Sequence, residues 1–190
     1  ALLNLPSPLL PLQILCLNLV TDVVPARALG FGEGEKDVME RPPRKYNEPI
    51  MTPKLWTSTL VYGLSITLAV LGITIYSYYG LNLPTEHINN LAFYTLVGAQ
   101  LFHVFILTDG GPSFFRNEIT TIPYVWGAIL VSVGLTAAAY LIPPVAAVLQ
   151  LEAIQWGFLG IALLFSLGSV MLVQLFKGIP VILSSMFNSN

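Results

Sequence analysis

Long runs of apolar residues constrain the fold of this chain more than any other feature. Four runs approach the roughly 20 residues that a helix needs to cross the hydrocarbon core of a bilayer: Leu55–Tyr78, Leu91–Leu107, Ile122–Ile142 and Ala153–Phe176. A fifth and more polar run covers about residues 9–31. Only 9% of the 190 residues are charged, against about 25% in soluble domains, so lipid is the expected solvent. The sequence therefore predicts an all-α membrane protein, a single transmembrane domain built as a bundle of five helices.

Charge and cysteine content exclude two classes of function. The formal net charge of −2 argues against a nucleic-acid partner, because such binding needs basic patches. Cys16 is the sole cysteine, so the chain forms no internal disulfide and offers no cysteine cluster for a soft metal.

The positions of Lys and Arg predict the orientation of the spans. Five of the eight fall in the loop of residues 32–54, one in loop 108–121 and one after the last span, whereas loops 79–90 and 143–152 have none. Positive residues stay on the cytoplasmic side, so loops 32–54 and 108–121 and the C-terminus are expected there. The first span would then enter from outside. With no signal-peptide pattern before it, this orientation predicts a further helix upstream.

The polar and acidic residues most suited to form a functional site lie in the first span. Asp22 is the one acidic residue well inside any span, and a carboxylate there costs about 2.5–3.5 kcal/mol unless it faces a bundle interior. Asn18, Thr21 and Asp22 are spaced i, i+3, i+4, which in an α-helix defines one face. Pro25 has no N–H for the carbonyl of Thr21, four residues back. Amide, hydroxyl, carbonyl and carboxylate oxygens together indicate a site for a hard cation such as Ca²⁺, Mg²⁺, Na⁺ or K⁺.

A second helix is needed to complete such a site. Ca²⁺ takes six to eight oxygen ligands, and the first span offers about four. Gln100, in the third span, is a candidate for a further neutral oxygen, while His103 on the same face is interpreted as a packing or hydrogen-bonding residue, and His87 as a solvated loop residue. The competing interpretation is that these polar groups only bond neighbouring helices.

Other classes of membrane protein remain open on this evidence. A channel or secondary transporter would use the same carboxylate, but secondary transporters often repeat a broken helix in both halves, and only one such helix is visible. A purely structural membrane module is the third possibility, and it suits the second, fourth and fifth spans, which have no charge inside the membrane.

Three segments resemble one family in the order of the chain. Asn-Leu-Val-Thr-Asp at residues 18–22, followed by Pro25-Ala26 and Leu29-Gly30, resembles the sixth transmembrane helix of P-type calcium ATPases. The segment of residues 37–44, Asp-Val-Met-Glu-Arg-Pro-Pro-Arg, is similar to the loop after that helix, and residues 100–105 are similar to the eighth helix of bacterial members. The resemblance covers the whole chain, as the sixth to tenth helices.

That resemblance implies a set of roles. Asn18, Thr21 and Asp22 match ion-coordinating residues, and Gln100 stands where two-site pumps have a Glu, which implies one transported ion per cycle. Loop 32–54 would couple the membrane to a phosphorylation domain. Arg27 stands where the family often has a small or neutral residue, and we have no physical account of that.

The same resemblance sets expectations for the whole protein. The parent would be a translocase that exports Ca²⁺ from the cytoplasm, with Mn²⁺, Na⁺ or K⁺ as alternative ions. No phosphorylation motif occurs in the chain, so ATP and Mg²⁺ would bind in other domains and this chain alone would not be catalytic. Its expected partners are the lipid bilayer and the upstream helices and cytoplasmic domains of the same pump, in a bacterial plasma membrane.

Overall fold

The computed structural model describes residues 7–30, 51, 53–106, 123–152 and 155–187, with side chains up to residue 176 except those of residues 29 and 54. Every regular element in these ranges is a helix, so the all-α prediction is confirmed. The elements are α1 (Pro11–Leu17), a π-helical segment (Asn18–Val23), α2 (Val24–Gly30), α3 (Pro53–Ile75) with a π-helical end (Tyr76–Gly80), α4 (Thr85–Val104), α5 (Pro123–Leu141), α6 (Pro143–Leu149) and α7 (Trp156–Phe187).

Three helices are long and apolar enough to cross a membrane: Leu55–Gly80, Pro123–Leu141 and Trp156–Phe176. The other two predicted spans also coincide with helical chain, residues 11–30 and α4. These two are more polar, because they carry the Asn, Gln, Thr and His side chains of the bundle interior. The predicted coupling loop 32–54 lies almost wholly outside the described residues, and loop 108–121 lies wholly outside them.

Prolines mark where several helices begin. Pro11, Pro53, Pro123 and Pro143 each occupy the first position of a helix, where a missing N–H costs no hydrogen bond and the fixed φ suits the helix. The predicted turn of residues 143–152 therefore contains a short helix, α6. It ends at Gln150, whose left-handed φ of 52° reverses the chain, and Leu151 N–H donates to the carbonyl of Ala146 at 2.8 Å.

Helix α4 lies at the centre of the bundle. It packs against α3 and α7 on one side, where Leu91 meets Ile73 and Ala162. On the other side Phe93 and Val97 belong to a cluster with Leu17 of the first helix. Twelve of its twenty residues are buried, so the polar side chains of this span lie mostly inside the bundle.

Helices α4 and α7 approach closely at a glycine. The Ser166 hydroxyl of α7 lies 2.8 Å from the carbonyl of Thr95 on α4 and 2.8 Å from that of Ala162 on its own helix. A Cβ built on Gly98 would lie only 2.7 Å from Ser166 Oγ. Small residues that let backbones approach are typical of helix contacts in membranes.

One end of the bundle is tied together around α6. Gln13 Nε2 donates to the carbonyl of Leu149 at 3.1 Å, and Asn90 Nδ2 donates to that of Gln150 at 3.1 Å. The start of the first helix, the start of α4 and the α5–α7 connection thus share one end, as alternating spans require.

The same end holds a contact between a histidine and a carboxylate. His87 Nδ1 lies 2.8 Å from Glu152 Oε2, with both side chains partly exposed. The sequence predicts that His87 is a solvated loop residue. It lies instead in the first turn of α4, because that helix begins at Thr85, six residues before the predicted span.

Candidate cation site

The first helix changes its hydrogen-bond register at the residues that the sequence singles out. Asn18–Val23 form a π-helical segment, in which backbone bonds span five residues instead of four. Pro25 lies two residues beyond the end of this segment and has no N–H. It therefore donates no bond to Thr21, four residues back, or to Val20, five residues back. Such π-helical turns often occur at functional sites.

A serine on another helix partners one of these carbonyls. Ser132 Oγ, on α5, donates to the carbonyl of Val20 at 2.6 Å in a buried setting. The Ser132 side chain is 0% exposed. Sequence reasoning did not find this residue, although a lone serine between Val131 and Val133 in an apolar span was a usable signal.

Oxygen atoms converge on the side chain of Thr21, which is buried. Thr21 Oγ1 lies 2.6 Å from Gln100 Oε1, 2.8 Å from the carbonyl oxygen of Leu17 and 3.3 Å from Asp22 Oδ1. The two helices that supply these atoms, the first helix and α4, meet at this level of the bundle. We call these four oxygens the Thr21 cluster.

The chemistry of the Thr21 cluster suits a cation. A hydroxyl carries one proton, so Thr21 Oγ1 donates to only one of its three oxygen neighbours at a time. The remaining oxygens offer lone pairs to each other, which is unfavourable in a low dielectric unless a positive charge lies between them. Turning the Gln100 amide by half a rotation would direct Nε2 at Thr21 instead, an arrangement that suits the cluster without a cation.

The structure brings together three of the four predicted ligands and separates the fourth. Thr21, Asp22 and Gln100 belong to the cluster, whereas Asn18 is exposed on the first helix. The reason is the π register, because a π turn holds more residues than an α turn and the i, i+3 spacing no longer defines a face. Asp22 is also exposed, with Oδ1 at the edge of the cluster. The assignment of these residues as ion ligands stays a prediction.

His103 and Arg27 are also polar residues of the spans, and none of the contacts described for them involves the Thr21 cluster. His103 is buried on α4 and its ring meets Tyr62 of α3 edge to face, with centroids 5.6 Å apart. Arg27 is exposed on α2. Among the residues with described positions, no three His, Cys, Asp or Glu side chains come together. The four atoms of the Thr21 cluster are all oxygens, which are hard ligands.

Comparison with known proteins identifies the family. The family profile described as "Cation transporting ATPase, C-terminus" matches residues 6–179. The chain belongs to this family. The resemblance to the C-terminal membrane region of P-type ATPases drawn from the three sequence segments is thereby confirmed, and the chain is an integral membrane protein.

Relatives of this ATPase region include proteins with calcium in their names. A calcium-transporting ATPase of Bacillus subtilis is 38% identical over 156 residues, which is 82% of this chain and 17% of that protein. A calcium-transporting ATPase of Listeria monocytogenes is 36% identical over 129 residues, 65% of this chain and 14% of the relative. Calcium-transporting ATPase 1 of Bacillus cereus is 31% identical over 174 residues, 83% of this chain and 20% of the relative. The chain thus spans a fifth or less of the length of these relatives.

Proposed function

We propose that this region supplies ion-binding membrane helices to a P-type ATPase that exports Ca²⁺ from the cytoplasm. The observation that carries the proposal is the Thr21 cluster, four oxygens of four chemical types in and beside the π-helical segment that precedes Pro25. The names of the three relatives support Ca²⁺ as the ion. ATP and Mg²⁺ would act in domains outside this chain, which provides no catalytic residue of its own.

The ligand set suits Ca²⁺ transport in two ways. Carboxylate, amide, hydroxyl and carbonyl oxygens are hard ligands, and Ca²⁺ accepts them in flexible geometry. The negative charge of Asp22 offsets part of the ion's charge. The Asp22 side chain is exposed, so helices of the same pump that this chain does not include can place further ligands beside it. Asn18, exposed on the same helix, would bind the ion together with ligands from those other helices. Ion release would follow when helix movement separates Gln100 from Thr21.

Gln100 supports a single ion per cycle. A neutral amide at this position contributes an oxygen without charge, so the cluster holds one carboxylate among its described members. A glutamate at this position would add a second negative charge, and its absence favours one divalent ion over two. The alternation of the spans, with α6 and the start of α4 at one end, supports a topology in which loops 32–54 and 108–121 and the C-terminus share the opposite side. We infer from their Lys and Arg residues that this side is cytoplasmic. We place the pump in a bacterial plasma membrane.

The test is Ca²⁺ uptake by inside-out vesicles that contain the complete ATPase, with Asp22→Asn compared to wild type. Removing the charge at nearly constant shape is expected to weaken Ca²⁺ affinity by about tenfold or more, equivalent to about 1.4 kcal/mol. The matched control is Glu86→Gln, which neutralises an exposed carboxylate in the first turn of α4. It should transport as wild type does.

Each alternative predicts a different result. Uptake by Asp22→Asn at the wild-type rate and affinity contradicts the site. Stimulation of the ATPase by Mn²⁺, Na⁺ or K⁺ but not by Ca²⁺ contradicts the choice of ion. Uptake that needs no ATP contradicts a pump and favours a channel or secondary transporter.

A further inference from the structure

The hydroxyl of Ser132 is placed unlike most hydroxyls of the spans. Ser65, Thr67 and Thr74 each donate to the carbonyl four residues back in their own helix, the usual local bond of such residues in membrane helices. Ser132 donates across to the first helix, to the carbonyl of Val20 at 2.6 Å. The bond joins residues 112 positions apart in the chain.

The location of this bond explains why it is needed. Helix α5 exposes Leu130, Val131 and Val133 to the surroundings of the bundle, each by half of its surface or more, while Ser132 is fully buried. Val20 is 3% exposed and lies in the middle of the π-helical segment. A carbonyl left without a donor inside a membrane costs several kcal/mol. Ser132 therefore stabilises the π register at the point where Pro25 withholds a backbone donor.

The partner of Ser132 adjoins the Thr21 cluster. Val20 directly precedes Thr21, so a fixed Val20 carbonyl fixes the peptide plane that leads into Thr21. Ser132 itself contacts none of the four oxygens in the described contacts. It would act on the ion through the backbone and not as a ligand.

We propose that Ser132 is a positioning residue for the cation site, holding the main chain of residues 18–23 so that Thr21 and Asp22 meet Gln100. This inference rests on the proposed function, which names the cluster as the ion site. Without the hydroxyl, the segment would be free to take other registers, and only a fraction of molecules would present the cluster. Affinity for the ion would fall by that fraction, whereas turnover at saturating ion would change little.

The experiment measures the Ca²⁺ dependence of ATP hydrolysis by the complete ATPase with Ser132→Ala. The Ca²⁺ concentration for half-maximal activity is expected to rise by about threefold to tenfold, as the loss of one interhelical bond in a membrane implies, at nearly unchanged maximal rate. Ser132→Thr keeps the hydroxyl and should restore wild-type affinity. Thr136→Ala is the matched control, because that hydroxyl on the same helix donates to the carbonyl of Ser132 at 2.9 Å and not to the first helix.

A second measurement separates this inference from the proposed function. Amide hydrogen exchange of residues 18–24 in the complete ATPase should accelerate in Ser132→Ala and not in Thr136→Ala. Wild-type affinity in Ser132→Ala, or an equal loss in Thr136→Ala, overturns the positioning role while leaving the pump intact. If the wild-type enzyme shows no response to Ca²⁺, the proposed function fails, and the exchange result alone decides: acceleration confined to Ser132→Ala supports the role, and unchanged exchange overturns it.

Discussion

Replacing Gly98 with alanine tests whether α4 and α7 depend on close backbone approach. The added Cβ would lie 2.7 Å from Ser166 Oγ and 3.2 Å from Ser166 Cβ, both closer than ordinary van der Waals contact. Either the helices separate or the Ser166 hydroxyl turns away from the Thr95 carbonyl, which it meets at 2.8 Å. Overpacking of this kind costs about 1–3 kcal/mol, and loss of an interhelical bond in a membrane costs about 0.6–2 kcal/mol.

The expected destabilisation is therefore about 2–4 kcal/mol relative to a matched glycine. Gly134→Ala on α5 is that control, because a Cβ there meets nothing within 4 Å and the intrinsic helix preference for alanine is the same at both sites. The free energy of unfolding is measured for the purified protein in mixed micelles, by titration with SDS and tryptophan fluorescence.

A double-mutant cycle identifies the contact responsible. In a Ser166→Ala background the nearest atom to the new Cβ is gone, so Gly98→Ala should cost about 1–2 kcal/mol less than it does in the wild type. Equal stability of Gly98→Ala and Gly134→Ala, or strict additivity with Ser166→Ala, would refute the close-approach argument.

Two further predictions concern the end of the bundle around α6. Gln13→Leu removes the buried amide that donates to the carbonyl of Leu149. It should destabilise the protein by about 2–3 kcal/mol, since buried partners are left unpaired. The same SDS titration measures this loss, and Gln155→Leu at an exposed position is the control that should be nearly neutral. His87→Ala removes the pair with Glu152 and should change stability by less than about 1 kcal/mol, because partly exposed ion pairs contribute little. A loss above that, or one insensitive to salt, would contradict this view of the pair.

The fold was predictable where a single segment determines its own structure. Apolar runs of about 20 residues require helices in lipid, and the long helices α3, α5 and α7 follow from that requirement alone. Helix α6 was not predicted, because seven residues between two spans are too few to show a periodic pattern. Its end is held by Gln13, which lies 136 residues away from Leu149 in the chain, and no local pattern reports such a contact.

The candidate site was likewise predictable only where its features lie within one segment. Asp22 and Pro25 are conspicuous in an apolar span, and the sequence alone indicated oxygens freed near them. The π register was not predictable, because it depends on which donor takes the place of the missing N–H of Pro25. That donor, Ser132, comes from another helix. The register in turn moved Asn18 off the face it would share with Thr21 in a regular α-helix.

A transport site needs oxygens that are held in place yet not already committed to other partners. A regular α-helix in lipid commits every interior carbonyl to its own backbone, and a fully unwound segment would leave too many carbonyls without donors. The π-helical segment lies between these limits, because Pro25 withholds one donor and Ser132 supplies one in its place. Thr21, with one proton among three oxygen neighbours, then leaves lone pairs that either a bound cation or a turned Gln100 amide would satisfy.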